Sequence, residues 1–167
     1  MFLTGPDYVK ALQKGFKNSN KISMAVAYWG FGATESLGIT PQHDWRIVCN
    51  LLDGRTNPSE IEILRNQRKD CVFHSSRLHA KVFLFENFAV FGSANASKRG
   101  LSSDVKSRTA LFEAGLLVQD AHTLAEIANW IEFQFGISEI VSDKDIILAK
   151  LKYGTKSPNR NEFSTAE

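Results

Sequence analysis

The sequence predicts a layered sheet with helices packed on it, of the α/β or α+β kind, and three observations carry that reading. Apolar runs of strand length recur at residues 22–29, 45–52 and 71–73. Stretches with helical spacing lie before and between them, so the first half reads αββαβ, the alternation of a layered sheet. Hydrophobic residues make up 43% of the 167 positions, with twelve Phe and three Trp, enough bulky volume for one packed core and too much for a disordered chain.

Each element has its own signal. Thr4-Gly5-Pro6-Asp7 is a helix start, and Val9, Leu12 and Phe16 continue one apolar face to the breaker Asn18-Ser19-Asn20, which predicts a helix over 6–17. The run ISMAVAYW (22–29) is almost wholly apolar, as a central strand covered on both faces must be. A Gly-rich polar stretch (30–44) separates it from the second strand, WRIVCNLL (45–52). Pro58-Ser59-Glu60 opens a helix to Gln67, and residues 71–73 form a third strand. Residues 78–91, LHAKVFLFENFAVF, fit two strands joined by a tight turn at Glu86-Asn87. Residues 92–100 are a loop entering a short helix or turn, and 109–118 read as another strand. Leu124, Ile127 or Ala128, Ile131 and Phe135 recur at helical spacing up to Gly136, and 143–153 form a last, weaker helix. The expected organisation is one domain over residues 1–153 and a flexible tail over 154–167, with no room for a second domain.

The two cysteines, Cys49 and Cys71, sit in apolar stretches, where a free thiol behaves as a small buried hydrophobe; a reducing compartment is expected. No basic leader followed by an apolar run opens the chain, and no segment approaches 18 uninterrupted apolar residues, so the expectation is a cytoplasmic protein that does not span a membrane. Net charge is only +2, but residues 65–108 hold nine basic and three acidic side chains while 109–143 hold six acidic and none basic. The basic block predicts an anionic partner, set against the plainer reading of a solvated face.

Chemistry concentrates in one stretch. Alternation along a strand puts His79, Lys81, Phe83 and Phe85 on one face and Leu78, Ala80, Val82 and Leu84 on the other, so an imidazole and an ammonium lie side by side on an apolar strand. A buried lysine needs a counter-charge or an anionic ligand; a strand end where both heads reach water is the alternative. The hairpin folds Gly92-Ser93-Ala94-Asn95 back toward this pair, with short donors suited to phosphate oxygens, although Ser and Asn before a helix also serve as caps.

These residues resemble the HxKx4Dx6GSxN motif of the phospholipase D superfamily. Here it reads His79-Ala-Lys81, four residues, Glu86, five residues, then Gly92-Ser93-Ala94-Asn95. Glu86 stands where the motif has Asp, and the second spacer is one residue short. The resemblance implies an α/β fold with a layered mixed sheet flanked by helices. It also implies a phosphodiesterase in which an imidazole nitrogen of His79 attacks phosphorus to give a phosphohistidine. A second histidine protonates the leaving oxygen and then activates water, while Lys81, Ser93 and Asn95 hold the non-bridging oxygens. Glu113, a charge inside the apolar run LFEAGLLV, matches a supporting family glutamate that orients the imidazole, or else is a strand-edge carboxylate facing solvent. No metal and no cofactor is implied. Two histidines are needed and the chain has one motif, so the resemblance implies a homodimer sharing one site, as in the small bacterial nucleases of the superfamily.

Nucleic acid is expected as substrate and partner over lipid, because of the basic block and the lack of an amphipathic membrane-binding stretch; DNA is the favoured partner, although nothing in the residues separates DNA from RNA. Phospholipase or phosphatidyltransferase action on lipid is the enzymatic alternative, and a non-catalytic nucleic-acid-binding module the other. A metal site at Cys71, His74 and His79 is a further rival, weakened by the missing CxxC and by Lys81 beside it. His43 and His122 have the settings of ordinary surface histidines.

Overall fold

The computed structural model describes residues 1–102 and 111–155. In chain order the elements are β1 (Phe2–Thr4), α1 (Gly5–Asn18), β2 (Lys21–Val26), α2 (Ala33–Leu37), β3 (Asp44–Cys49), α3 (Pro58–Gln67), β4 (Val72–His74), β5 (Lys81–Leu84), β6 (Ala89–Gly92), β7 (Ala114–Val118), α4 (Ala121–Gly136), β8 (Glu139–Ile140) and α5 (Asp143–Thr155). The strands form one sheet in the order β1-β7-β6-β5-β2-β3-β4-β8. β2, β3 and β4 are parallel, and the remaining pairings are antiparallel, so the sheet is mixed.

Side-chain alternation divides the interior in two. Ile22, Met24 and Val26 of β2, with Trp45, Ile47 and Cys49 of β3, face a large core shared with Tyr8, Leu12 and Phe16 of α1, Ile61 and Leu64 of α3, and Ile146 and Ala149 of α5. On the opposite face Ala25, Ala27 and Val48 pack with Ile131 and Phe135 of α4. Small side chains there let α4 lie close. Its attachment is reinforced by Arg46, which pairs with Glu132 and sits 4.2 Å from the Phe135 ring centre.

Most predicted elements appear with shifted ends. α3 matches its predicted bounds because Pro58 presets the first turn and the Asn57 side chain accepts from Ser59 N at 3.0 Å. The first run is strand only to Val26, although its buried path continues to Trp29, where a bridge to Ala96 takes over from the ladder. The strand expected over 109–118 begins at Ala114, and residues 109 and 110 lie outside the described residues. α5 runs to Thr155, and from 156 onward the predicted tail is also outside them. Four short elements had no sequence signal: β1, β8, the five-residue α2 within the polar stretch, and a 3₁₀ turn at Lys69–Cys71 that takes Cys71 out of the predicted strand. Each is shorter than the windows over which periodicity is visible. Both cysteines are free; burial pushes the Cys49 thiol up to about 12. Among the described residues no helix is long and apolar enough to cross a membrane.

Candidate active site

Topology collects the motif at one sheet edge. β5 runs antiparallel to β2, with Val26 opposite Lys81, so β5 begins where β2 ends. β6 is antiparallel to β5 and β7 to β6, with Gly92 opposite Gly115, so β6 ends and β7 begins at that same edge. His79 and Lys81, Ser93, and Glu113 are thereby delivered from neighbouring strand ends, and the carboxyl ends of parallel β2 and β3 lie beside them. Ligands of open sheets containing parallel strands characteristically bind at such an edge.

β5 starts at Lys81, so His79 precedes the ladder instead of lying within it as the sequence predicts. Ala27 N still donates to Ala80 O at 2.8 Å, in register with the Val26–Lys81 pair, and the segment before it is a turn in which Leu78 N bonds back to Ser75 O at 3.3 Å. The predicted alternation holds from there. Phe83 and Phe85 enter the large core, while Ala80, Val82 and Leu84 face the α4 side. His79 is exposed, with its ring edge against Tyr28 at 5.7 Å between centroids and 75° between planes. Lys81 Nζ donates to the His79 carbonyl at 2.9 Å, which ties the cation to the histidine backbone. Partial burial lowers the Lys81 pKa from its ordinary 10.5, Glu113 opposes that shift and Arg55 adds to it.

Gly92 serves packing before it serves any ligand. A Cβ there would collide with the Ala114 carbonyl and the Tyr8 ring, and one at its partner Gly115 would meet Tyr8 and the Phe91 carbonyl. The glycine pair lets β6 and β7 close over buried Tyr8 and sets Ser93 beside the start of β7. Ser93 Oγ donates to Glu113 Oε2 and accepts from Ala114 N at 3.1 Å. The Glu113 carboxylate thus meets Ser93 and acts electrostatically on Lys81 and Tyr8, where the sequence reading has it either orienting the imidazole or facing solvent. Asn95 is half-buried, and its Oδ1 has no hydrogen-bond partner among the described residues. An amide oxygen left without a partner two residues after Ser93 is open to a ligand contact, since rotation exchanges the oxygen for the NH2 donor.

The other sequence candidates part from this edge. Glu86 is at the far end of β5, where its carboxylate accepts from Asn20 N and Lys21 N, both at 3.1 Å. Its role there is to hold the hairpin turn to the start of β2. His74 Nδ1 accepts from Leu51 N at 3.1 Å, and burial lowers its pKa. Among the described residues no group of three or more His, Cys, Asp or Glu side chains is arranged to hold a metal ion, so Cys71, His74 and His79 do not form the rival cluster. The basic block is also partly consumed inside the fold. Arg65 is buried and pairs with Asp143 at 2.9 Å, and Arg68 pairs with Asp44 at 2.8 Å. Lys106 and Arg108 lie outside the described residues, and Lys69, Arg77, Lys81, Lys98 and Arg99 are the other described cations of the block.

No protein-family model matches the chain, and no curated protein matches it in sequence. Solved structures do match it in shape. NucT from Helicobacter pylori superposes with a TM-score of 0.64 at 14% identity, covering 84% of this chain and 100% of that one. Nuc from Salmonella typhimurium, a phospholipase D family member, gives 0.61 at 14% identity over 84% and 97%. The fold is phospholipase D-like. Phosphatidylserine synthase from Haemophilus influenzae gives 0.65 at 12% identity over 92% of this chain but 42% of its own length, so this chain spans less than half of that protein. The phospholipase D-like fold brings His79, Lys81, Ser93 and Glu113 to one sheet edge, and also Tyr28 and Arg55, which sequence reasoning passed over. Tyr28 sits inside a run that reads simply as strand, and Arg55 is one polar residue in a loop; neither carries a spacing signal.

Proposed function

We propose that the protein is a metal-independent phosphodiesterase, an endonuclease that cleaves nucleic acid, DNA foremost, through a phosphohistidine, and that it works in the cytoplasm as a homodimer with a shared site. The observation that carries this reading is the delivery of an exposed imidazole, a tied lysine and the Ser93 hydroxyl to one edge of a phospholipase D-like sheet. Attack by a His79 nitrogen on phosphorus forms the P–N bond as the P–O bond to the leaving group breaks. His79 of a second copy gives its proton to that leaving oxygen. It then takes a proton from water, whose oxygen displaces the first imidazole and releases the phosphate product. Lys81, Ser93 and Asn95 hold the two non-bridging oxygens as negative charge builds. Glu113 supports the group by holding the Ser93 proton until a phosphate oxygen takes its place as acceptor, and by sustaining the charge on Lys81.

The test is turnover of plasmid DNA, single-stranded DNA, RNA and a phosphatidyl lipid in excess EDTA. Cleavage of the nucleic acids, with a phosphoenzyme that is acid-labile and lost in His79→Ala, is the expected result. Lipid turnover without nucleic-acid cleavage, or strict dependence on added magnesium or zinc, would overturn the reading.

A further inference from the structure

A second cation is built onto the same edge, outside the motif. Tyr28 is buried just beyond β2, its ring edge against His79 and its centroid 5.6 Å from Lys81 Nζ. On that ring lies the guanidinium of Arg55, with Cζ 5.0 Å from the centroid and Nη1 donating to the Tyr28 hydroxyl at 3.2 Å. Arg55 Nε pairs with Asp53 at 3.0 Å. The side chain is nevertheless 60% exposed. An arginine this open ordinarily sweeps through many rotamers, at an entropic cost to holding it still. Three contacts hold this one, and two of its five donors are used by them.

The backbone beneath is fixed as well. Gly54 turns the loop after β3 with φ of 88°, a conformation that strains other residues. Asn50 N donates to Ala27 O at 2.7 Å, Asn57 N to Trp29 O at 2.6 Å, and Thr56 Oγ1 to Asn50 O at 2.7 Å. The loop that carries Arg55 is therefore stapled to the end of β2 on both sides of Tyr28.

Fixing a second cation beside Lys81 works against the charge on Lys81, and that strain has a use when an anion spans both. The scissile phosphodiester has two non-bridging oxygens, and Lys81, Ser93 and Asn95 already supply three donors on the β5 and β6 side. Arg55 roots in the loop following β3, two strands from β5 and thus about 10 Å along the edge, in the direction away from Ser93. We infer that Arg55, braced on Tyr28, binds a second phosphate of the substrate strand, adjacent to the one held at His79 and Lys81. A planar fork suits bidentate capture of that phosphate, and the site then selects a chain of consecutive phosphodiesters over an isolated one. This inference rests on the nucleic-acid reading proposed above and adds where the strand runs, from β6 across β5 and β2 toward β3.

The experiment uses the full chain with a single-stranded 12-nucleotide probe and with bis(4-nitrophenyl) phosphate, a diester lacking any neighbouring phosphate. For Arg55→Gln, KM on the oligonucleotide rises roughly tenfold while kcat changes far less, and the loss is much smaller on the isolated diester. In binding measured by anisotropy, the slope of log K against log salt falls by about one, the signature of one lost phosphate contact. Arg55→Lys recovers the slope but only part of the affinity, which separates a charge contact from damage to the loop. An unchanged slope and KM, or equal losses of kcat on both substrates, would overturn the inference, the latter by placing Arg55 on the scissile phosphate. Oligonucleotide binding with the expected slope change but no turnover by the wild type would sustain this inference while sinking the catalytic reading. Absence of oligonucleotide binding by the wild type sinks both.

Discussion

The Ser93 hydroxyl donates a hydrogen bond to the Glu113 carboxylate, closing the end of β6 onto the start of β7. The same carboxylate faces Lys81, whose pKa is pulled below 10.5 by burial and by Arg55 and is held up by Glu113. Lys81 must be protonated to bind phosphate, so the alkaline limb of kcat/KM is expected below the range of an ordinary lysine. Glu113→Gln removes the influence that raises the pKa and moves that limb to lower pH. Lys81→Arg moves it up, because a guanidinium stays charged throughout. A limb that neither substitution shifts would show that Lys81 does not govern it.

His79 stands exposed outside the β5 ladder, so truncating it leaves the core untouched. His79→Ala should keep the wild-type thermal unfolding profile and lose phosphodiester turnover, since the covalent route has no other nucleophile. Lys81→Ala should cost on the order of a hundredfold or more, the usual loss for one charge-stabilising donor in an active site. Substantial turnover by folded His79→Ala removes the assignment.

One chain supplies one motif histidine, and the proposed chemistry uses two. Sedimentation should therefore give about twice 18.7 kDa. A mixed dimer of wild-type and His79→Ala subunits should be inactive for complete turnover, because either the attacking or the proton-donating imidazole is missing. A half-active hybrid would mean independent sites, and an active monomer would end the shared-site proposal.

Glu86 occupies the motif's aspartate position yet binds the amides of Asn20 and Lys21 at the end of β5 remote from His79. Glu86→Ala should lower stability by about 1 kcal/mol, the typical net worth of a hydrogen bond, with kcat/KM nearly unchanged. Denaturant unfolding and steady-state kinetics check the two halves separately. A large loss of kcat at unchanged stability would place Glu86 in the chemistry after all.

Local signals carried far in this chain. Pro58-Ser59-Glu60 marked the start of α3, the alternation from Lys81 to Phe85 assigned those side chains their faces, and the resemblance of the His79, Lys81, Ser93 and Asn95 motif to the phospholipase D pattern implied phosphodiester chemistry. All of these are properties of neighbours within about twenty positions, where side-chain type and backbone period are read together. What the chain alone leaves open is set by partners distant in sequence. Whether β5 pairs with β2 or another strand, that Gly92 is small because Tyr8 lies beneath it, that Ser93 answers to Glu113, and that Arg65 and Arg68 are spent on Asp143 and Asp44 all follow from packing. Tyr28 and Arg55 illustrate the limit most sharply. They lie 27 positions apart with no pattern between them, and they share a site because β2 and β3 run parallel, so that both chain segments emerge at the edge where β5 begins. Strand pairing is a choice among many long-range contacts of similar local quality, and the core, burying the large side chains of β2 and β3 on one face and the small ones under α4, makes that choice.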